Sequence, residues 1–213
     1  MSPGALADRP RAAGRRTQAE RSAESRTRIL DAAVACVSEL GVGETTTQRI
    51  ARRAGLTWGA IQHHFGEKNA ILLTVVERSL DDVVAELRAI STTRGTVAER
   101  VHVLVAGLWP HYRGPLYRAG VEILLSVRGD EGLKTRADEI RRRALSEVGR
   151  AWFDLFSDLD ISRERHRTAQ RVLLAMLAGF ALEVTMRDEP ADFSAELRAL
   201  EQTLERILAG ENG

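Results

Sequence analysis

Residues 46–65 read TTQRIARRAGLTWGAIQHHF, and their pattern predicts two short helices joined by a tight turn. Ile50 and Ala54 are four residues apart on the first helix, and Ile61 and Phe65 repeat that spacing on the second. Because residues four apart lie one turn apart on a helix, each pair marks the face that its helix presents to the protein interior. We therefore expect the two helices to pack against a common core through these faces.

The residues between the two helices have the chemistry of a turn. Gly55 stands where the chain changes direction, a place that needs a residue tolerant of positive φ. Thr57 has a hydroxyl that can cap the second helix, as Thr46 can for the first. A helix, a glycine-containing turn and a second helix in this order are typical of the DNA-binding helix-turn-helix. A plain corner between two helices of a bundle has the same pattern and remains an alternative.

The composition is that of a helical protein whose N-terminal part is basic. The chain has 213 residues, of which 44% are hydrophobic and only 5% aromatic, and its net charge is +1. Residues 1–70 contain eleven Arg or Lys against seven Asp or Glu, so the remainder is slightly acidic. This distribution fits a DNA-binding part joined to a part that does not bind DNA.

The sequence favours a cytoplasmic protein. It has no uninterrupted run of about 18 apolar residues, so we expect no membrane span. Its N-terminus has positive charges without the apolar stretch of a secretory signal. Its one cysteine, Cys36, cannot form an internal disulfide and falls on the apolar side of a predicted helix. We expect Cys36 to be an inert core thiol.

Apolar residues recur at helical spacing along most of the chain, and no stretch alternates persuasively like a β-strand. Residues 1–24 are rich in Arg, Ala, Gly, Ser and Glu, so we expect disorder there. That segment is either a dispensable tail or an arm that reaches DNA through arginines 9, 11, 15 and 16. The predicted helices cover approximately residues 25–40, 46–54, 58–64, 67–89, 97–107, 116–127, 131–156, 163–187 and 192–208.

These elements predict an all-α protein with two folded parts. Residues 25–70 form an N-terminal three-helix domain that contains the helix-turn-helix. Residues 71–213 form a C-terminal helical domain, which begins with a connecting helix over 71–89. The polar segment STTRGT at 91–96 ends that helix and reads as a domain boundary.

The flanks of the helix-turn-helix carry a family resemblance. Residues 29–72, ILDAAVACVSELGVGETTTQRIARRAGLTWGAIQHHFGEKNAIL, resemble the TetR (tetracycline-repressor-type) family of bacterial transcription regulators. The shared features are the Ile-Leu-x-Ala-Ala opening, Gly41 at the end of the first helix, the threonine-rich cap, Ile-Ala-x-x-Ala-Gly, and His-Phe followed by a lysine. Val37 and Gln62 depart from the pattern, because the family usually has Phe and Tyr there. Gln62 replaces an aromatic residue that commonly contacts a phosphate.

The resemblance implies a ligand-responsive homodimer that places one helix-turn-helix in each half-site of a palindromic operator in double-stranded DNA. It implies that the C-terminal domain binds a small-molecule effector, whose identity the sequence does not give, with no other cofactor. It also implies that the last two helices of each subunit pair in the dimer. Repression is the commonest role in the family, and an activator or a ligand-independent regulator of the same fold remains an alternative.

The second helix of the motif is the predicted recognition helix. At about 100° per residue, Gly59 and His63 point away from Ile61, with Gln62 beside them. The amide of Gln62 matches the N6/N7 edge of adenine, although a contact to phosphate or water is an equal alternative. Lys68 is expected at a phosphate. The predicted DNA-binding residues are Thr46, Thr47, Gln48, Thr57, Trp58, Gly59, Ala60, Gln62, His63, His64 and Lys68.

The C-terminal domain contains candidate ligand and dimer residues, each of which can also belong to an ordinary core. The residues best able to line a ligand cavity are Trp109, Tyr112, Tyr117, Glu122, Trp152, Phe156 and Met176. Two apolar stripes suit the dimer faces that the resemblance implies, and they consist of Val172, Met176, Phe180, Val184, Leu197, Leu200 and Leu204.

The sequence gives no sign of an active site. It has no glycine-rich phosphate loop, no serine nucleophile elbow and no cluster of residues at metal-ligand spacing, so we expect neither an enzyme nor a metal protein. His63 and His64 are adjacent and diverge by about 100° on a helix, which is poor geometry for chelating one ion. A helical interaction protein that never binds DNA is the rival from another functional class.

Overall fold

The computed structural model of the chain describes residues 17–92, 94–187 and 192–210. Nine α-helices and a short 3-10 turn, Val127–Gly129, account for the secondary structure of these residues, which contain no β-strand. The predicted all-α class is therefore confirmed. The helices are α1 (Gln18–Glu44), α2 (Thr47–Ala54), α3 (Trp58–His64), α4 (Lys68–Ile90), α5 (Val97–Tyr112), α6 (Pro115–Ser126), α7 (Glu131–Leu155), α8 (Arg163–Met186) and α9 (Ser194–Ala209).

Helix α1 begins earlier than the apolar pattern predicts. Thr17 accepts a hydrogen bond from the backbone N–H of Glu20, whose carboxylate accepts one from the N–H of Thr17, so a complete capping box starts the helix at Gln18. The prediction of disorder over 1–24 is therefore wrong for residues 17–24. The arginines proposed as a DNA-contacting arm, at 9, 11, 15 and 16, lie outside the described residues.

Gly41 and Pro110 differ in how they affect their helices. Gly41 has φ +77° and ψ 164°, so it interrupts α1 at the predicted place. The helix predicted over 97–107 continues past Pro110 to Tyr112. The missing N–H of Pro110 removes only one hydrogen bond in the last turn, where the interruption costs little of the remaining helix.

The buried side chains form two clusters that meet on α4. One cluster joins α1, α2, α3 and the N-terminal half of α4 with α6, the 3-10 turn and Ala137 of α7. The other joins the C-terminal half of α4 with α5, α7, α8 and α9. Leu80 packs against both clusters. The change of core therefore falls within α4, and the polar segment at 91–96 only ends that helix.

Helix α8 is apolar but poorly covered. By length and composition it qualifies as a candidate membrane span, although Arg171 and Glu183 interrupt its apolar sequence and only 22% of the apolar window is buried. Length and composition alone do not show that α8 crosses a membrane, because a helix of a soluble protein can meet the same criterion. Leu182 and Met186 are 59% and 77% exposed, and Ala175 and Gly179 are exposed on the preceding two turns. An apolar helix face with this much exposure needs a covering surface.

Candidate DNA-binding surface and ligand groove

The turn between α2 and α3 has the geometry that the sequence predicts. Thr46 accepts a hydrogen bond from the N–H of Arg49 at 3.2 Å and starts α2. Gly55 adopts the left-handed conformation, φ +62° and ψ 37°, and its N–H bonds to the carbonyl of Arg52 at 3.2 Å. Thr57 then caps α3 by accepting from the N–H of Ala60 at 3.2 Å. Ile61 is fully buried, which fixes the face that α3 turns inwards.

Arg28 fixes this turn from α1, a role that the sequence reasoning missed. Its guanidinium donates to the carbonyls of Ala54 and Gly55, which are left without helical partners at the end of α2. A Cβ placed on Gly55 would lie 2.9 Å from the same guanidinium. The only sequence signal was a basic residue directly before the buried Ile29, and that signal does not identify a contact 26 residues away.

The outward face of α3 is exposed, and it consists of predicted residues. Gly59, Gln62 and His63 are exposed, Trp58 is 55% exposed, and Ala60 is half-buried. On the neighbouring segments Thr46, Gln48 and Thr57 are exposed, while Thr47 is half-buried. The structure therefore gathers these predicted residues around one end of the molecule. With more than half of its side chain exposed, Trp58 is not a core residue of α3.

His64 lies between this face and the core. Its ring is half-buried, and burial, with the nearby His63 and Arg26, lowers its pKa. The centroids of the two histidine rings are 5.2 Å apart, and Arg26 lies over the ring of Phe65 at 4.6 Å. In the described part of the chain no three His, Cys, Asp or Glu side chains are placed to hold a metal ion.

The arginines of α2 are partly used in ion pairs. Arg53 makes a two-pronged pair with Glu39 of α1 at 2.5 and 2.6 Å, and Arg49 pairs with Glu44 at 2.9 Å. Arg52 is exposed beside them. These two pairs join α2 to the end of α1, so they help to position the helix-turn-helix.

Lys68, a predicted phosphate contact, lies at the start of α4 with its ammonium group turned inwards. Its Nζ donates to the carbonyl of Val42 at 2.7 Å, and burial lowers its pKa. Val42 follows the break at Gly41, so this bond holds the segment that comes directly after the break. The contact ties the end of α1 to the residue that follows the recognition helix by four positions.

Lys68→Met tests whether this bond or a phosphate contact is the main role of Lys68. Because the ammonium group is committed to Val42, we expect the free energy of unfolding to fall by about 1–2 kcal/mol. The slope of DNA affinity against salt concentration should stay unchanged. Urea titration and fluorescence anisotropy at several salt concentrations measure the two quantities. A slope that falls by about one, as loss of one phosphate contact produces, would contradict this assignment.

A groove of about 490 Å³ lies between α1, α6 and α8. Its volume is within the usual range for small-molecule sites, roughly 300–1,000 Å³. Three of its polar side chains belong to α6, namely Tyr117, Arg118 and Glu122, and Ser38 of α1 and Thr185 of α8 complete the polar set. We call this the α6 groove. Its apolar wall consists of Ala119, Val121, Leu125, Ala178, Ala181 and Leu182, with Gly179.

The α6 groove is connected to the helix-turn-helix through Glu122. Its carboxylate accepts a hydrogen bond from the N–H of Val42 at 3.0 Å. The carbonyl of the same Val42 accepts from Lys68, as described above. One peptide segment after Gly41 is therefore held on one side by a groove residue and on the other by the helix that follows α3.

Of the seven predicted ligand residues, the α6 groove includes Tyr117 and Glu122. Tyr112 is buried against Tyr117, with ring centroids 4.4 Å apart, and Trp109 packs against Phe180 and Phe193. Trp152 and Phe156 are fully buried core residues, and the indole N–H of Trp152 donates to His166. Met176 is half-buried against the same core. Arg118 was missed, although its position four residues before Glu122 places both on one face of α6.

The predicted dimer residues divide by burial. Leu200 and Leu204 are fully buried within one chain, so their assignment to a dimer face is wrong, because a partner cannot reach them. Val172, Met176, Phe180, Val184 and Leu197 are half-buried. The exposed apolar face of α8 is rotated around the helix axis by roughly 100° from the predicted stripe, at about 100° per residue. It contains Ala175, Gly179, Leu182 and Met186.

Known proteins resemble this chain both in sequence and in fold. Residues 29–75 match the family of bacterial regulatory proteins called tetR. The HTH-type transcriptional regulator BetI of Klebsiella pneumoniae (strain 342) is 32% identical over 175 residues, which cover 78% of this chain and 85% of that protein. The fatty acid degradation regulator FadR of Bacillus halodurans has a TM-score of 0.70 at 20% identity, covering 87% of this chain and 95% of that one. FadR from Bacillus subtilis, solved in complex with stearoyl-CoA, has a TM-score of 0.66 at 20% identity, covering 86% and 98%. At these identities the two structures show a shared fold.

Proposed function

The chain belongs to the TetR family of bacterial DNA-binding transcriptional regulators, and we propose that it is a homodimeric repressor released from a palindromic operator by a small-molecule effector. The observation that carries the DNA-binding part is the exposed outer face of α3, which follows a capped turn and is held by Ile61, the one fully buried residue of that helix. It acts in the cytoplasm of a bacterium. Binding of a small molecule is supported by one structural relative, because FadR from Bacillus subtilis was solved in complex with stearoyl-CoA.

The second subunit covers the exposed face of α8. Ala175 and Gly179 are small, so two such helices can approach closely, and Leu182 and Met186 add apolar area at the end of the face. A two-fold axis through this face pairs α8 with its own copy, as a homodimer requires. The dimer then presents two recognition helices to half-sites about one helical turn, roughly 34–36 Å, apart.

The effector acts through Glu122 in the α6 groove. An occupant that moves this carboxylate disturbs its bond to Val42, and Val42 is also bonded to Lys68 directly after the recognition helix. The left-handed Gly41 next to Val42 gives this segment a point at which the backbone can rotate. A small change in the groove is thereby transmitted to the spacing of the recognition helices.

Gln62→Ala tests the DNA-binding part of the proposal. If the exposed amide of Gln62 reads a base, its loss should reduce discrimination at one operator position by about 1–3 kcal/mol, roughly 5- to 150-fold. The operator is first identified by selecting bound sequences from random DNA with the full chain. Mobility shifts on that operator, and on variants with one base pair changed, then give the discrimination. Gln202→Ala, an exposed glutamine on α9, is the matched control.

Two results would contradict the proposal. A uniform loss of affinity across all operator variants would make Gln62 a phosphate contact instead of a base contact. Failure of the selection to enrich any sequence at low salt, together with binding that does not depend on salt, would favour an interaction protein that does not use DNA. A selected motif without two-fold symmetry would count against the homodimer on a palindrome.

A further inference from the structure

We propose that the α6 groove binds an amphipathic anion, a small molecule with one carboxylate-type head and an apolar chain, and that this is the effector. The inference rests on the proposed function and adds the chemical class of the ligand. It is carried by Arg118, whose Nε is buried and has no hydrogen-bond partner among the described residues. The rest of the groove wall is mostly aliphatic.

The unpaired Nε of Arg118 points to an anionic head. A buried donor without an acceptor is uncommon in folded proteins, and each case calls for an explanation such as an absent ligand. A guanidinium is always charged and offers its N–H groups in a fork that fits the two oxygens of a carboxylate. An occupant with a carboxylate therefore supplies the acceptor that Arg118 lacks. Its apolar chain lies along Val121, Leu125 and Ala178.

The start of α6 adds further features that favour a negative charge. Tyr117 lines the groove next to Arg118, and burial raises its pKa to about 12, so its hydroxyl stays protonated and can donate. Both residues are in or next to the first turn of a 12-residue helix whose N-cap, Gly114, makes no side-chain capping bond. The N-terminal end of a helix is positive and its first N–H groups are free, which favours an anion nearby.

Glu122 is the one acidic residue of the groove. A carboxylate would favour a cationic ligand, which is the alternative to the anion proposed here. Its Oε1 is already bonded to the N–H of Val42 on α1, whereas Arg118 Nε has no partner within the described chain. The unmet requirement of the groove is thus an acceptor. An anion at Arg118, one helical turn from Glu122, also repels that carboxylate and strains its bond to Val42, which links occupancy to the DNA-binding end.

Three probes that share a straight ten-carbon chain but differ in the head group test the proposal on the full chain: decanoate, 1-decanol and decyltrimethylammonium. Isothermal titration calorimetry measures their affinities for the wild type and for Arg118→Met, Arg118→Lys and Arg136→Met. Arg136 is an exposed arginine of α7 that does not line the groove, so it is the matched control. Circular dichroism and size-exclusion chromatography establish that each variant folds and keeps its oligomeric state. Mobility shift on the selected operator is measured with and without decanoate.

We expect decanoate to bind at least about tenfold more tightly than either other probe, because a hydrogen bond to a charged group contributes about that much. Arg118→Met should lose this preference while still binding decanol, Arg118→Lys should keep part of it, and Arg136→Met should match the wild type. Equal affinity for all three probes, a preference for the cation, or an unchanged preference in Arg118→Met would each overturn the proposal. Decanoate that binds through Arg118 without releasing DNA would overturn its role as effector. A protein that binds decanoate in this way but no DNA refutes the proposed function, and the titration still decides the ligand class separately.

Discussion

Ala175→Glu is expected to convert the protein into a monomer and to lower operator affinity by roughly a thousandfold. The residue is exposed at the N-terminal end of the α8 face that we assign to the dimer. A two-fold axis through this face buries one introduced carboxylate of each subunit, without a partner, in an apolar interface, which costs about 4 kcal/mol. A monomer offers one recognition helix instead of two, so the loss of dimerisation lowers the affinity for DNA. Sedimentation velocity and mobility shift at equal protein concentration measure the two effects.

The matched control for this variant is Ser146→Glu. Ser146 is exposed on α7, and the substitution adds the same charge to a helix outside the proposed dimer face. It should leave both the sedimentation coefficient and the DNA affinity close to those of the wild type. If Ala175→Glu sediments as a dimer with unchanged DNA affinity, the dimer does not form through this face of α8.

Arg100→Met is expected to be the most destabilising single substitution among the charged residues of the described chain. The Arg100 side chain is 2% exposed and makes four hydrogen bonds: to the carbonyls of Gly95 and Leu155 at 2.9 and 2.7 Å, and to both oxygens of Asp158 at 2.5 and 2.6 Å. Methionine has similar length but no donor, so the buried carbonyl of Leu155 loses its partner. We expect a loss of about 3 kcal/mol, or roughly 6–12 °C in Tm, for a chain of this size.

A comparison with Arg88→Met separates burial from charge. Arg88 pairs with Glu147 at 2.7 Å, but its side chain is 61% exposed, so its removal should cost at most about 1 kcal/mol. Urea denaturation followed by circular dichroism gives both values. Equal losses in the two variants would show that the closed network around Arg100 adds nothing beyond an ordinary surface pair.

The same network predicts how stability depends on acidity. The Arg100 guanidinium holds the pKa of Asp158 at about 2, below its usual value of 3.8. A carboxylate whose pKa is lowered by folding stabilises the folded state above its unfolded pKa, and that stabilisation is lost as pH falls from about 4 towards 2. The gap in urea midpoint between the wild type and Arg100→Met should therefore narrow between pH 5 and pH 2.5. A gap that stays constant would contradict the link to Asp158.

The sequence alone was sufficient for the helix-turn-helix because its determinants are local. Gly55 has the left-handed conformation that the turn requires, and Thr46 and Thr57 cap the helices that follow them. The buried Ile50 and Ile61 were identified from helical spacing. Each of these features depends on residues within a few positions of one another, so the order of residues already contains the information. The exposed face of α3 follows from the same periodicity.

The α6 groove and the exposed apolar face of α8 were decided only by the tertiary structure. Helical spacing marks Leu200 and Leu204 as apolar in the same way as an interface residue, and only the packing of α9 against α5 and α8 shows that they are core. The aromatic residues expected in a pocket, Trp152 and Phe156, fill the interior, since large apolar side chains contribute most when fully buried. The link from the α6 groove to Val42 depends on a contact between α1 and α6, because Glu122 and Val42 are 80 residues apart in the sequence.

Local sequence determines which helices form and which of their faces are apolar. It does not determine which apolar faces meet inside one chain and which remain for a ligand or a second copy, because that choice depends on how all nine described helices pack together.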